Sequence, residues 1–224
     1  NPNIPVEMLK QLASDRDEDV RKEATSNPNM PAELRIELFK QLAKDKDSWV
    51  RRTVAENPNT PAVVLEQLAK DESSYIREDV ASNPNTPAAV LKELAETVLL
   101  DSSLAIRDMH CSVASNPNTP RELMKQLAER WWSMVTEDES ERRRGGATFV
   151  PVTIAKNRNT PVEVLKQLVE NTDKSGKDEN VRKEIAGNPN TPAEILKQLA
   201  KDGWSRIRSS VAGNPNTSME LSLE

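Results

Sequence analysis

Read for its apolar positions alone, the chain alternates between two short amphipathic stretches and returns to the same pair along its length. In the copy that begins "NPNTPAVVLEQLAKD" at Asn57, Val64, Leu65, Leu68 and Ala69 fall on one face at helical spacing. They predict a first helix of about two to three turns. After a polar spacer, Ile76, Val80 and Ala81 show the same one-sided pattern and predict a second helix. Thr60 stands where an N-cap belongs, with Pro61 at the first helical position, where its missing N–H costs nothing. In later copies Glu122, Glu163 and Glu194 follow the corresponding threonine by three residues, the spacing of a capping box. The second helix is expected to stop near Asn83, because Pro84 disfavours helical geometry at the residue before it.

An Asn-x-Asn marker opens each copy, at Asn1, Asn27, Asn57, Asn83, Asn116, Asn157, Asn188 and Asn214. The gaps are 26, 30, 26, 33, 41, 31 and 26 residues, a base period of 26 with insertions. Four residues enter the first helix of the second copy, close to one turn. The fourth copy grows around "ETVLLD" and in its second helix, where "IRDMHCSVAS" replaces "IREDVAS"; the sixth grows in the polar "ENTDKSGKDEN". The fifth carries the largest insertion, between Leu127 and Val150. Helices this short are marginal alone, and one apolar stripe per helix cannot be buried inside a single copy. Stacking copy on copy buries both stripes, so the period predicts an array. The expected fold is all-α, a solenoid of seven two-helix units starting at 1, 27, 57, 83, 116, 157 and 188. These form one repeat domain over 1–217, with a partial unit at 214–217, an insertion at 129–148 and a tail at 218–224 whose final Leu-Glu reads as a cloning scar.

Composition narrows the chemistry. The 224 residues are 36 % hydrophobic and 30 % charged, with a net charge of −5, so no bulk positive field draws the molecule to nucleic acid or anionic lipid. Cys111 is the single cysteine, which excludes an intramolecular disulfide and a cysteine-based zinc or iron–sulfur site. No apolar run approaches membrane-spanning length, and the cytoplasm is the expected compartment. The chain opens in mid-phrase without methionine, so it is expected to be cut from something longer. His110 adjoins Cys111, but neighbouring residues on a helix diverge by about 100°, too far apart for a nucleophile–base pair. Six scattered glycines make no phosphate-cradling loop. No catalytic residue, metal or cofactor is expected.

"NPNTPxxxLxxLAxD" followed by "VRxxVAxNPN" resembles the leucine-rich repeat variant proteins, which are architectural relatives of HEAT-repeat solenoids, and the resemblance runs from Asn1 to Thr217. It implies a right-handed superhelix in which one helix per unit is α and the other a short α or 3₁₀ helix, with "TPxxhLxxL" (h apolar) the candidate for the tighter form. Some relatives carry an iron–sulfur cysteine cluster outside the repeats; this chain lacks those cysteines, so the cofactor does not carry over. The family supplies no general catalytic activity.

Three sets of residues are candidates for contact. Arg21, Arg51, Arg77, Arg107, Arg182 and Arg208 recur beside the first apolar residue of the second helix, and stacking would set them in a file about 10 Å apart. Such a file would meet phosphates or an acidic partner, or form a structural ladder with carboxylates such as Asp15, Asp45 and Asp178. Trp49, Tyr75 and Phe149 stand at the edge of the stripe, where they would pack between units or form a ligand-facing row. The insertion brings Trp131, Trp132, Arg142, Arg143 and Arg144, residue types typical of interface anchors, although it would equally fold back as a helix extension. The expected function is that of a non-enzymatic scaffold for protein–protein interaction, the alternative a nucleic-acid-binding HEAT-like module using the arginine file. No membrane partner is expected. Met8, Leu12 and Val20 have no neighbour to cover them, which predicts end-to-end self-association or further repeats.

Overall fold

The computed structural model describes residues 4–13, 15, 17–25, 27–100, 107–137, 149–172 and 178–217. Among these every element is a helix, in the alternating order that the pattern predicts. The chain divides into two compact units, 1–94 and 95–224. Unit 1 contains α1 (Val6–Leu12), α2 (Glu18–Thr25), α3 (Ala32–Leu42), α4 (Ser48–Glu56), α5 (Ala62–Leu68) and α6 (Ser74–Ser82), and the first part of α7 (Ala88–Leu100). Unit 2 contains α8 (Arg107–Ser115), α9 (Arg121–Glu137), α10 (Phe149–Lys156), α11 (Val162–Asn171), α12 (Glu179–Gly187), α13 (Ala193–Leu199) and α14 (Ser205–Ala212).

The apolar stripes form the core. Val64, Leu65, Leu68 and Ala69 are buried, as are Ile76, Val80 and Ala81 opposite them. In unit 1 the second helix α4 packs on α6 and the first helix α3 on α5; in unit 2 the second helices α8, α10, α12 and α14 pack in succession. The insertions lengthen elements without breaking this order. Helix α3 has 11 residues where α5 has 7, and α9 has 17.

The first helices are α throughout the described residues, including each "TPxxhLxxL" segment. Tighter i→i+3 turns occur at their two ends: the Pro61 carbonyl accepts both Val64 N–H at 2.9 Å and Leu65 N–H at 3.2 Å, and Lys70 N–H donates to the Gln67 carbonyl at 3.2 Å.

The threonine does not cap the helix that follows it. Pro61, Pro161 and Pro192 occupy the N-cap position with no side-chain capping bond, so the capping boxes read at Glu163 and Glu194 do not form. Each threonine hydroxyl instead donates backwards, into the last turn of the preceding second helix. Thr60 donates to the Val54 carbonyl, Thr119 to Val113, Thr160 to Ile154 and Thr191 to Ile185. Thr119 therefore caps the end of α8 and takes no part in a capping box with Glu122. The physical reason is depth. These threonines are fully buried, and the carbonyls ending the second helix are the orphans that need a donor there.

Asn-Pro-Asn-Thr is a tight turn closed by Thr60 N–H to the Asn57 carbonyl at 3.0 Å, with Pro58 at the position that favours its fixed φ. The first asparagine of the turn binds its side-chain oxygen to the second asparagine's N–H, as in Asn188 to Asn190 at 2.9 Å. That leaves its two amide protons, and both cross to the previous repeat. Asn188 donates to the Ala155 and Asn157 carbonyls at 2.6 and 2.9 Å; Asn83, Asn157 and Asn214 make the equivalent pair of bonds. The second asparagine reaches back as well, Asn159 to the Pro117 carbonyl and Asn216 to Pro189.

Asn188→Asp replaces two buried donors with acceptors aimed at two carbonyl oxygens. Urea unfolding at pH 7 is expected to show a loss of about 3 kcal/mol, since each orphaned buried group costs about 1–3 kcal/mol. The substituted carboxyl would have its pKa raised in the folded state. Part of the loss should therefore return as the pH falls below that raised value and the carboxyl regains a proton to donate.

Candidate interaction surface

Five of the repeats place an arginine, Arg21, Arg51, Arg77, Arg182 or Arg208, one residue past the first apolar position of the second helix, and in the four whose bonds are given next the long side chain folds back toward the loop before that helix. Arg51 Nη1 donates to the Asp45 carbonyl at 2.9 Å, Arg21 reaches Asp15 at 2.8 Å, Arg77 reaches Asp71 at 2.7 Å and Arg208 reaches Asp202 at 2.8 Å. The remaining edge of the guanidinium serves the next repeat. Arg51 Nε lies 2.7 Å from Asp71 Oδ2 and Arg182 Nε lies 2.8 Å from Asp202 Oδ2. Arg51 also meets the exposed Glu72 at 3.3 Å. The carboxylates that receive these arginines are thus those of the following repeat, and Asp45 contributes its backbone oxygen only.

The Arg51 and Asp71 side chains are 10 % and 7 % exposed, so this arginine is a strut and presents no charge to solvent. The hydrogen bond to Asp71 holds the Arg51 guanidinium above its ordinary pKa. Burial pushes the Asp71 carboxyl up, but the Arg51 hydrogen bond, the Ser73 N–H and the charges of Arg51 and Arg77 outweigh it and hold the group below the usual carboxylate range. The side chain of Arg107 lies outside the described residues.

His110 occupies the arginine's place when the register is counted back from Asn116, as Arg77 is counted back from Asn83. It is 1 % exposed, and its Nε2 sits 3.0 Å from the Leu127 carbonyl of the next repeat, which fixes Nε2 as the protonated nitrogen. Trp131, one turn further along α9, packs edge-on against it with ring centroids 6.0 Å apart and planes at 81°. Trp131 is therefore a core residue at 4 % exposure, and Trp132 beside it is half-buried. Arg142, Arg143 and Arg144 lie outside the described residues.

Trp49 and Tyr75 do not pack between repeats. They stand 64 % and 69 % exposed at equivalent positions of α4 and α6, next to the buried Val50 and Ile76. Arg52 lies over the Trp49 ring at 5.7 Å and is held there by Glu56 and Asp79, each at 2.9 Å. Burial raises the Asp79 carboxyl's pKa against the pull of Arg52. The exposed carboxylates of Asp47 and Glu72 precede the two aromatics in sequence, and Asp19 takes the aromatic's place in α2. The Phe149 side chain lies outside the described residues.

Among the described residues no group of three or more His, Cys, Asp or Glu side chains could hold a metal ion, and no helix is long and apolar enough to cross a membrane.

Residues 49–73 match the family described as leucine rich repeat variant. No curated protein matches the chain. Solved structures similar to it include two engineered proteins of the Northeast Structural Genomics Consortium. The first is 18 % identical over 92 % of this chain and 66 % of its own length, with a TM-score of 0.41. The second is 18 % identical over 92 % and 93 %, with a TM-score of 0.37. A designed armadillo repeat protein is 14 % identical over 93 % and 97 %, with a TM-score of 0.32.

Two outcomes follow from these contacts. Burial pushes the His110 pKa down to about 4; the Leu127 carbonyl opposes the shift and the Arg130 charge adds to it. The unfolded chain takes up this proton near the ordinary value of 6.5, so the neutral ring's contribution is complete above that pH and is lost as pH falls toward 4. Urea unfolding should lose up to about 3 kcal/mol over that window through this group, and His110→Gln should flatten that part of the profile. For the strut, Arg51→Ala is expected to cost about 3 kcal/mol by stranding Asp71. A double-mutant cycle with Asp71→Ala should show the two losses to be strongly non-additive.

Proposed function

We propose, from the premise that residues 49–73 are a leucine rich repeat variant unit and that the same phrase recurs from Asn1 to Asn214, that the protein is a non-enzymatic scaffold that binds another protein. The reading rests on one observation: Trp49 and Tyr75 stand 64 % and 69 % exposed at matching positions of neighbouring repeats, although the apolar residues that follow them, Val50 and Ile76, are buried in the stack. Large aromatic side chains left on a surface lose free energy that a partner would recover. Their spacing, about 10 Å across packed helices, suits an extended segment laid across both. The carboxylates of Asp19, Asp47 and Glu72 beside them favour a segment with lysine or arginine side chains, which would rest on the ring faces.

The nucleic-acid alternative draws on the arginine file, and two of its members, Arg51 and Arg182, are already committed to Asp71 and Asp202. No observation favours it.

Random peptides displayed on phage and selected on the chain are expected to converge on sequences that pair basic with apolar residues. The Trp49→Ala/Tyr75→Ala double variant should weaken their binding about tenfold or more, with an unchanged melting midpoint. Peptides that bind both proteins equally would refute the assignment.

A further inference from the structure

Trp49 meets water with one face of its indole already occupied. The Arg52 guanidinium, one turn further along α4, lies 5.7 Å from the ring centroid. Its Nε is 2.9 Å from Glu56 Oε1 on the same helix and 2.9 Å from Asp79 Oδ2 on α6, in the next repeat. Asp79 is the stronger hold. Its charge and its hydrogen bond, ahead of the Glu56 charge, keep the guanidinium above its ordinary pKa. The backbone is held as well, since Trp49 N–H donates to Asp47 Oδ1 at 2.9 Å.

This clamp is not part of the repeat. Counted back from the markers, the other cations at Arg52's place are Lys22 and Lys183. One repeat on from them, Asp79's place holds Thr53 and Ser210. A cation and then an acid fill the two places in succession only at Arg52 and Asp79, and there a tryptophan stands at the exposed place beside them. Two carboxylates on one guanidinium also leave a negative charge over, so the clamp does not make the ring's surroundings repel a cation.

We propose that Arg52 is a positioning residue for the partner-binding surface. Clamped by Asp79 of the next repeat, it holds the Trp49 indole in one orientation with a single face open, and a basic side chain of the partner stacks on that face. The inference rests on the reading of Trp49 and Tyr75 as the binding surface. A ring already held in its bound orientation has less freedom to lose when a partner arrives, so affinity rises without a new contact. Charge alone gives the opposite sign. Removing Arg52 makes the site more negative, which by itself would draw a basic segment in more strongly.

Grown with 5-fluorotryptophan, the chain gives one fluorine resonance for each of its four tryptophans, and Trp49→Phe identifies the one from residue 49. In Arg52→Gln and in Asp79→Asn that resonance should narrow and move toward the position of free 5-fluorotryptophan, with the other three unmoved. Binding is read by the anisotropy of a dye-labelled, capped peptide that alternates arginine with leucine. Arg52→Gln should weaken it about threefold or more, despite the lost positive charge. A Trp49 resonance unmoved in both variants would overturn the inference, as would an Arg52→Gln chain that binds the peptide as tightly as wild type or more tightly. A peptide that fails to bind wild type tells against the surface itself, whereas the fluorine resonance needs no ligand and tests the hold on the ring directly.

Discussion

The fold depends on what a primary amide can do that no other side chain of its length can: offer two donors and an acceptor in one plane. In Asn188 the oxygen closes the turn on Asn190, while the two protons hold carbonyls of the repeat before. A carboxylate has no proton to give, and a longer amide would not close the turn. Recurrence of the asparagine follows from that geometry. The ladder also sets the register: Asn214 reaches back 26 residues to the Asn188 carbonyl and Asn157 reaches back 41 to Asn116, with the same two bonds. The markers meet in the same way at both spacings.

The stripes were legible because a 3.6-residue period has one meaning once the helix is granted; Leu65, Leu68, Ile76 and Val80 lie in the core where the pattern puts them. The threonine was not legible, because one hydroxyl can either accept from the helix ahead or donate to the helix behind. Local spacing supports both, and only burial decides. The exposed aromatics were missed for a related reason. A position about 100° from the stripe is a boundary, and whether the next repeat covers it depends on how closely neighbours approach. His110 could have been found. Counting forward from Ile106 picks out Arg107, whereas counting back from Asn116 puts the histidine in the arginine's place, and the marker is the better ruler because it is the fixed point of the fold.

The struts and the amides act on opposite ends of the second helix. The asparagine holds the turn that follows it, and the arginine holds the loop that precedes it. A repeat fixed at both ends has little freedom to differ from its neighbours, which leaves outward-facing positions such as Trp49 and Tyr75 as the places where sequence can vary without cost to stacking.

Departures from the 26-residue period follow the same logic. Both described struts arrive at repeats of the base length, those opened by Asn57 and Asn188. In each, the receiving aspartate falls three residues after the last leucine of the first helix, so the strut fixes how long that loop can be. The fifth and sixth repeats have no aspartate at that place, and the side chains in the arginine's position before them are His110 and Pro151. There the first helices run to 17 and 10 residues instead of 7. His110 turns to the Leu127 carbonyl of the lengthened helix, and Trp131, which exists only because that helix continues, covers the ring. Losing the carboxylate removed a limit on loop length, and the added turns supplied a different cover for the same position. In the fifth and sixth repeats the added turns therefore sit where the aspartate is missing.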